Sequence, residues 1–132
     1  MPGYAHKRHF TIEEANSLIP RLTPLLLRIQ DAWDLFQKQR ERSHKSLRQA
    51  GSNGEPHTSD EDDALHLLEQ LTADVETHGC VVKGHAQGLI DFPSIREGRE
   101  VYLCWCLGEP EVQAWHELDA GFAARQPLEP AG

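Results

Sequence analysis

The chain has 132 residues, 39% hydrophobic and 26% charged, enough for one domain with a real core and too few for two comfortable ones. A formal charge of −8 argues against general DNA or RNA binding, because a phosphate backbone demands a basic surface. No apolar run approaches a membrane span, MPGYAHKRHF lacks the apolar segment of a signal peptide, and three cysteines are an odd number, so the expectation is a cytoplasmic protein without a disulfide scaffold.

Residues 1–9 read as a loose, flexible arm. Thr11 with Glu14 three residues on is a capping box, and Phe10 before it staples onto Ala15. Ala15, Leu18, Ile19, Leu22, Leu25, Leu26, Ile29, Trp33 and Phe36 then recur at steps of three and four, an amphipathic face continuing to about residue 36. Pro20 and Pro24 each remove a helix hydrogen bond, which predicts either a kink near 20 or a restart capped by Thr23. Beyond Phe36 the stripe thins among Lys38, Arg40, Arg42, Lys45 and Arg48, a pattern of solvated helix face.

The segment 51–56 is loop chemistry. A second helix follows, capped by Ser59, with Asp60, Glu61 and Asp62 in its first turn, an apolar stripe of Ala64, Leu65, Leu68, Leu71 and Val75, and Gly79 as its stop. From Cys80 the period changes to two. Cys80–Lys83 and Leu89–Phe92 read as strands, the second ended by Pro93, and 96–99 as a turn. Val101, Leu103, Trp105 and Leu107 alternate with Tyr102, Cys104 and Cys106, and Val112, Ala114, His116 and Leu118 alternate with Gln113, Trp115 and Glu117. A four-residue turn at 108–111 sets Leu107 against Val112, and therefore Leu103 against His116, with His116 on the apolar face. Residues 126–132 read as a flexible tail. The fold class is α+β: a long antiparallel helical hairpin packed on a small antiparallel β-sheet, one domain over 10–125.

A buried imidazole requires partners, and Asp91 and Glu14 are the best placed, with Asp119 next. His116 with these carboxylates supports three readings: a structural pair, a divalent metal site built from His116, Asp119 and Asp91, or an acid–base pair in a small metal-dependent, hydrolytic enzyme. Cys104 and Cys106 with Cys80 and His85 have the composition of a Cys₃His zinc site, but C-x-C on a strand is not the usual knuckle, and small residues packing the sheet are expected instead. A first helix running from 12 to 48 would be roughly 55 Å long, against roughly 28 Å for the second. Trp33 and Phe36 are then expected far from the sheet with only the second helix beside them. Such a stripe predicts a homodimer.

Phe10-Thr11 with Glu13-Glu14-Ala15-Asn16, Gly88 to Pro93, Gly98 to Trp105, Leu107 to Val112 and Trp115 to Ala123 together resemble an uncharacterised bacterial family, the domain of unknown function 2203. The resemblance covers most of the chain outside 51–58 and the termini. It implies boundaries and brings no activity. The sequence favours a non-enzymatic module binding a partner, a small ligand or a metal near His116.

Overall fold

The computed structural model describes residues 3–50 and 59–128. The loop expected at 51–56, the side chain of Ser59 and the end of the expected tail lie outside them. The architecture is α+β. Helices α1 (Ile12–Ala50) and α2 (Ser59–Glu76) form a hairpin against one face of an antiparallel sheet. Its strands β1 (Val81–Gly84), β2 (Leu89–Arg96), β3 (Arg99–Cys106), β4 (Ala114–Glu117) and β5 (Gln126–Pro127) lie in chain order. No helix among the described residues is long and apolar enough to cross a membrane.

Helix α1 starts at the expected capping box: Thr11 N donates to Glu14 Oε1 at 2.9 Å, and Glu14 N to Thr11 Oγ1 at 3.1 Å. It then runs through Pro20 and Pro24 as one helix, so the expected restart does not occur. The Thr23 hydroxyl donates back to Ile19 O at 2.7 Å instead of capping a new helix. Leu22, Leu26 and Ile29 carry a fully buried stripe across both prolines, and this packing outweighs about 3 kcal/mol for each lost bond and ring clash. One continuous core joins that stripe to Leu68, Leu71 and Val75 of α2 and to Ile90, Phe92, Leu103, Trp105 and Trp115 of the sheet.

Strand β2 does not end at Pro93 but continues to Arg96. Strand β1 flanks it only as far as Asp91, and past that point Phe10 takes the vacant edge. Phe10 N donates to Pro93 O and Ser94 Oγ to Phe10 O, each at 2.7 Å. The proline therefore sits where β1 no longer needs its N–H. Residues Glu97 and Gly98, both at positive φ, close the β2–β3 hairpin in two residues.

The β3–β4 connection departs from expectation by one residue. Observed pairs are Cys104↔Ala114, Leu103↔Trp115 and Tyr102↔His116, not Leu103↔His116. The amides a tight 108–111 turn would use are engaged elsewhere. Cys106 N donates to Glu109 Oε1 at 2.8 Å, and Val112 N to Asn16 Oδ1 at 2.7 Å. A longer loop results, and the single-residue shift moves His116 to the face away from the helices. Two further expectations change. Trp33 is not left with α2 alone, since His85 of the β1–β2 turn stacks on it at 5.6 Å and Gln30 Nε2 donates to Ala86 O. Gln126 and Pro127, read as tail, pair with β4 as a fifth strand.

Gly88 has φ +67°, and a Cβ there would stand 2.6 Å from Leu107 Cβ, whereas one at Gly98 would meet nothing within 4 Å. Gly98→Ala is expected to lower stability by about 1–2 kcal/mol through backbone strain alone. Gly88→Ala should lose a further 1–3 kcal/mol or so by overpacking. Urea melts of the two variants check the difference.

Candidate functional site

Facing residues of neighbouring strands share a face, so the register places side chains before any contact is considered. Asp91 pairs with Cys104, and Tyr102 pairs with Pro93 on one side and His116 on the other. All lie opposite the helical hairpin. Two irregular segments reach this second face. Residues 4–9 form a strap anchored on Glu100, which accepts Ala5 N at 2.7 Å, His6 N at 3.0 Å and His9 Nε2 at 2.8 Å. On the other flank Arg125 stands over Phe122 and forms two parallel bonds to Glu109, at 3.1 and 3.0 Å.

Under this cover, Asp91, Cys104 and His116 are 1%, 0% and 2% exposed. The His116 ring is fixed at both nitrogens: Nδ1 lies 2.8 Å from Glu117 O, and Nε2 lies 3.0 Å from Asp91 Oδ2. A carbonyl can only accept, so Nδ1 carries a hydrogen. The second bond then requires one proton between Nε2 and Oδ2. Asp91 Oδ1 has no hydrogen-bond partner among the described residues. Burial pushes the Asp91 carboxyl above its usual range, against the opposing pull of His116, the Lys83 ammonium and the Cys104 thiol. The Cys104 thiol is itself pushed up to about 12, by burial first and by Asp91 second.

Cysteine, histidine and aspartate are the composition of a nucleophilic triad, but the geometry is not one. Both ring nitrogens are engaged by Glu117 and Asp91, leaving none to take the thiol proton, and a thiol raised to about 12 is no nucleophile at neutral pH. A metal site fits the arrangement better. Donor atoms of Asp91, Cys104 and His116 lie within 4.8 Å of one another, the one such group among the described residues. An N, O and S donor set suits zinc and its neighbours. The Nδ1–H bond to a backbone carbonyl is the outer support a metal-binding histidine uses to aim its other nitrogen.

The two helices and all five strands fall within residues 8–128, and that is the span matched by the family described as Uncharacterized conserved protein (DUF2203). The chain belongs to this family. No curated protein and no solved structure matches it.

Of the residues singled out in the sequence, the structure brings Asp91 to His116 and leaves the other two elsewhere. Glu14 is held in the capping box at the start of α1. Asp119 is exposed and makes no hydrogen bond or ion pair among the described residues. The Cys₃His set is not assembled: Cys80 belongs to the core under the helices, with its thiol at about 12, and His85 stacks on Trp33. Cys106 donates to Gln87 O and, like Cys80, is a free thiol. Sequence reasoning missed Cys104 and Tyr102 as neighbours of His116. The alternation of β3 carried the signal, since both share the parity that the shifted register turns toward His116.

Replacing Asp91 with Asn keeps a partner for His116, because an amide N–H can donate to Nε2. Asp91→Asn should therefore stay within about 1 kcal/mol of the parent. His116→Ala strands a buried carboxyl beside a cavity and should lose about 3–5 kcal/mol. The folded chain holds the Asp91 proton above the usual carboxylate range, so this group's contribution to stability falls as pH rises out of that range. Chemical melts across the acid range should show that slope in the parent and lose it in Asp91→Asn.

Proposed function

We propose that the chain is a non-enzymatic module that holds a divalent transition ion of the zinc class with Asp91, Cys104 and His116. The observation that carries this reading is the convergence of three buried donors, Asp91, Cys104 and His116, within 4.8 Å of one another, with no stronger donor than the weak Cys104 thiol to serve Asp91 Oδ1. A buried acceptor left without a good partner costs about 1–3 kcal/mol, and an ion is one of the few agents that would relieve it. The ion would draw on Cys104 as thiolate, Asp91 as carboxylate and the Nε2 lone pair, with Nδ1–H still on Glu117 O. Loading then displaces the thiol proton and the proton shared by Asp91 and His116.

The rival reading, a metal-dependent hydrolase centred on His116, needs an open coordination position reached by substrate. Exposures of 0–2% at the three donors speak for a closed site instead. The module is further proposed to act as a homodimer. Trp33, Phe36, Leu65 and Leu68 line an apolar groove between the helices that neither the sheet nor α2 fills.

Zinc or cobalt titrated into metal-free protein should bind one ion per chain and release about two protons per ion, so affinity falls steeply with acid. Cobalt should give the charge-transfer absorption of a thiolate ligand. Cys104→Ala should lose that band, and Asp91→Asn should weaken binding at least about tenfold. Absence of the band in the parent overturns the assignment. For the dimer, Trp33→Ala should weaken association by about 2 kcal/mol, and light scattering of the parent at micromolar concentration should give twice the chain mass.

A further inference from the structure

Three donors sealed at 0–2% exposure pose a problem of access, since an ion has to pass something that moves. On the helical side the packed core closes the route, and through the sheet the ladder does. The remaining side is made of side chains. There Tyr102 stands against His116, ring centroids 5.5 Å apart, with the Lys83 ammonium 4.6 Å over its ring. The outer side of Tyr102 belongs to the strap. His6 packs edge-on to it at 5.3 Å, and His6 Nε2 is 2.7 Å from its hydroxyl. That is the one hydrogen bond the hydroxyl makes among the described residues.

We infer that Tyr102 is the gate through which a metal ion reaches Asp91, Cys104 and His116, and that the strap at residues 4–9 is its latch, with Glu100 as the catch. This rests on the metal site proposed above and adds its regulation. The strap has neither helix nor strand ladder to hold it. Its polar hold on the rest of the fold consists of Glu100, through Ala5, His6 and His9, of Tyr102, through His6, and of the His78 carbonyl, which accepts from Arg8 at 2.9 Å. Segments with so few bonds open locally, far more often than the whole domain unfolds. When the strap lifts, Tyr102 loses its hydroxyl partner and its outer neighbour together, and a rotation of its side chain uncovers His116. The strands beneath need not separate. Equilibrium affinity is then set by the three donors, and the rate of exchange by the strap.

The experiment uses the full chain loaded with zinc and mixed with excess chromophoric chelator, with affinity measured separately by competition. His6→Ala and Glu100→Gln are each expected to speed zinc release and uptake on the order of tenfold, while affinity stays within about threefold. Tyr102→Phe, which keeps the ring and removes the hydroxyl bond, should speed both by less. Phe122→Ala, on the opposite flank, should leave the rates at the parental value. Parental rates in both His6→Ala and Glu100→Gln overturn the gate while the metal site stands. Equal acceleration by Phe122→Ala also overturns it, since general loosening then explains the effect. A parent that binds no zinc overturns the metal site and the gate together. Hydrogen exchange on the variants guards against misfolding: faster exchange confined to the strap is expected, and exchange raised across β2 and β3 counts against the gate.

Discussion

Two backbone amides hold the register on which the polar face of the sheet depends. Cys106 N is taken by the Glu109 carboxylate and Val112 N by the Asn16 side chain, so neither can join a tight hairpin ladder. The loop lengthens, β4 docks one residue away from the simplest pairing, and His116 comes to lie opposite Tyr102. Had the turn closed at 108–111, the imidazole would face the apolar core with no carboxylate on its own side of the sheet. Glu109 is itself steadied by Arg125, so a half-buried ion pair supports the placement of a buried histidine on the neighbouring strand.

That placement divides the sheet into two faces of different character. Ile90, Phe92, Leu103 and Trp105 meet the helical hairpin and supply the hydrophobic stabilisation. Asp91, Tyr102, Cys104 and His116 are as well buried, yet polar, and they are covered by irregular chain instead of by a packed layer. Burying polar groups is tolerable where each finds a partner. His116 does so at both nitrogens, and Asp91 at one oxygen only. The uneven satisfaction sets this cluster apart from an ordinary structural ion pair.

Much of the fold is legible in the sequence because it rests on local signals. The Thr11–Glu14 box, the stripe from Ala15 to Ile29, the glycine stop at Gly79 and the Glu97-Gly98 turn all specify their structure within a few residues. What the sequence does not display is decided by distant groups. Asn16 reaches Val112 across 96 positions, and Phe10 substitutes for β1 beside Pro93. Neither is visible to periodicity. For the site, the pairing of Asp91 with His116 follows from two residues of unusual chemistry in a small sheet. Glu14 was legible twice, as a capping residue and as a partner for His116, and the local role prevailed because a helix start needs its N–H groups satisfied on the spot.

The strap also has a place in the order of folding. Its bonds to Glu100 and Tyr102 join residues 91 to 96 positions apart, whereas the β2–β3 hairpin closes over two. Loop-closure entropy makes the short hairpin early and the long-range docking late. Its principal anchor, Glu100, is a residue of β3, so before that strand is in place the segment has only the His78 carbonyl, which accepts from Arg8, to hold. A chain still emerging during synthesis would therefore carry its N-terminal segment without its main hold until residues some ninety positions later had folded. His116 arrives later still, on β4, so the buried cluster is completed only after the residues that anchor its cover are already in place.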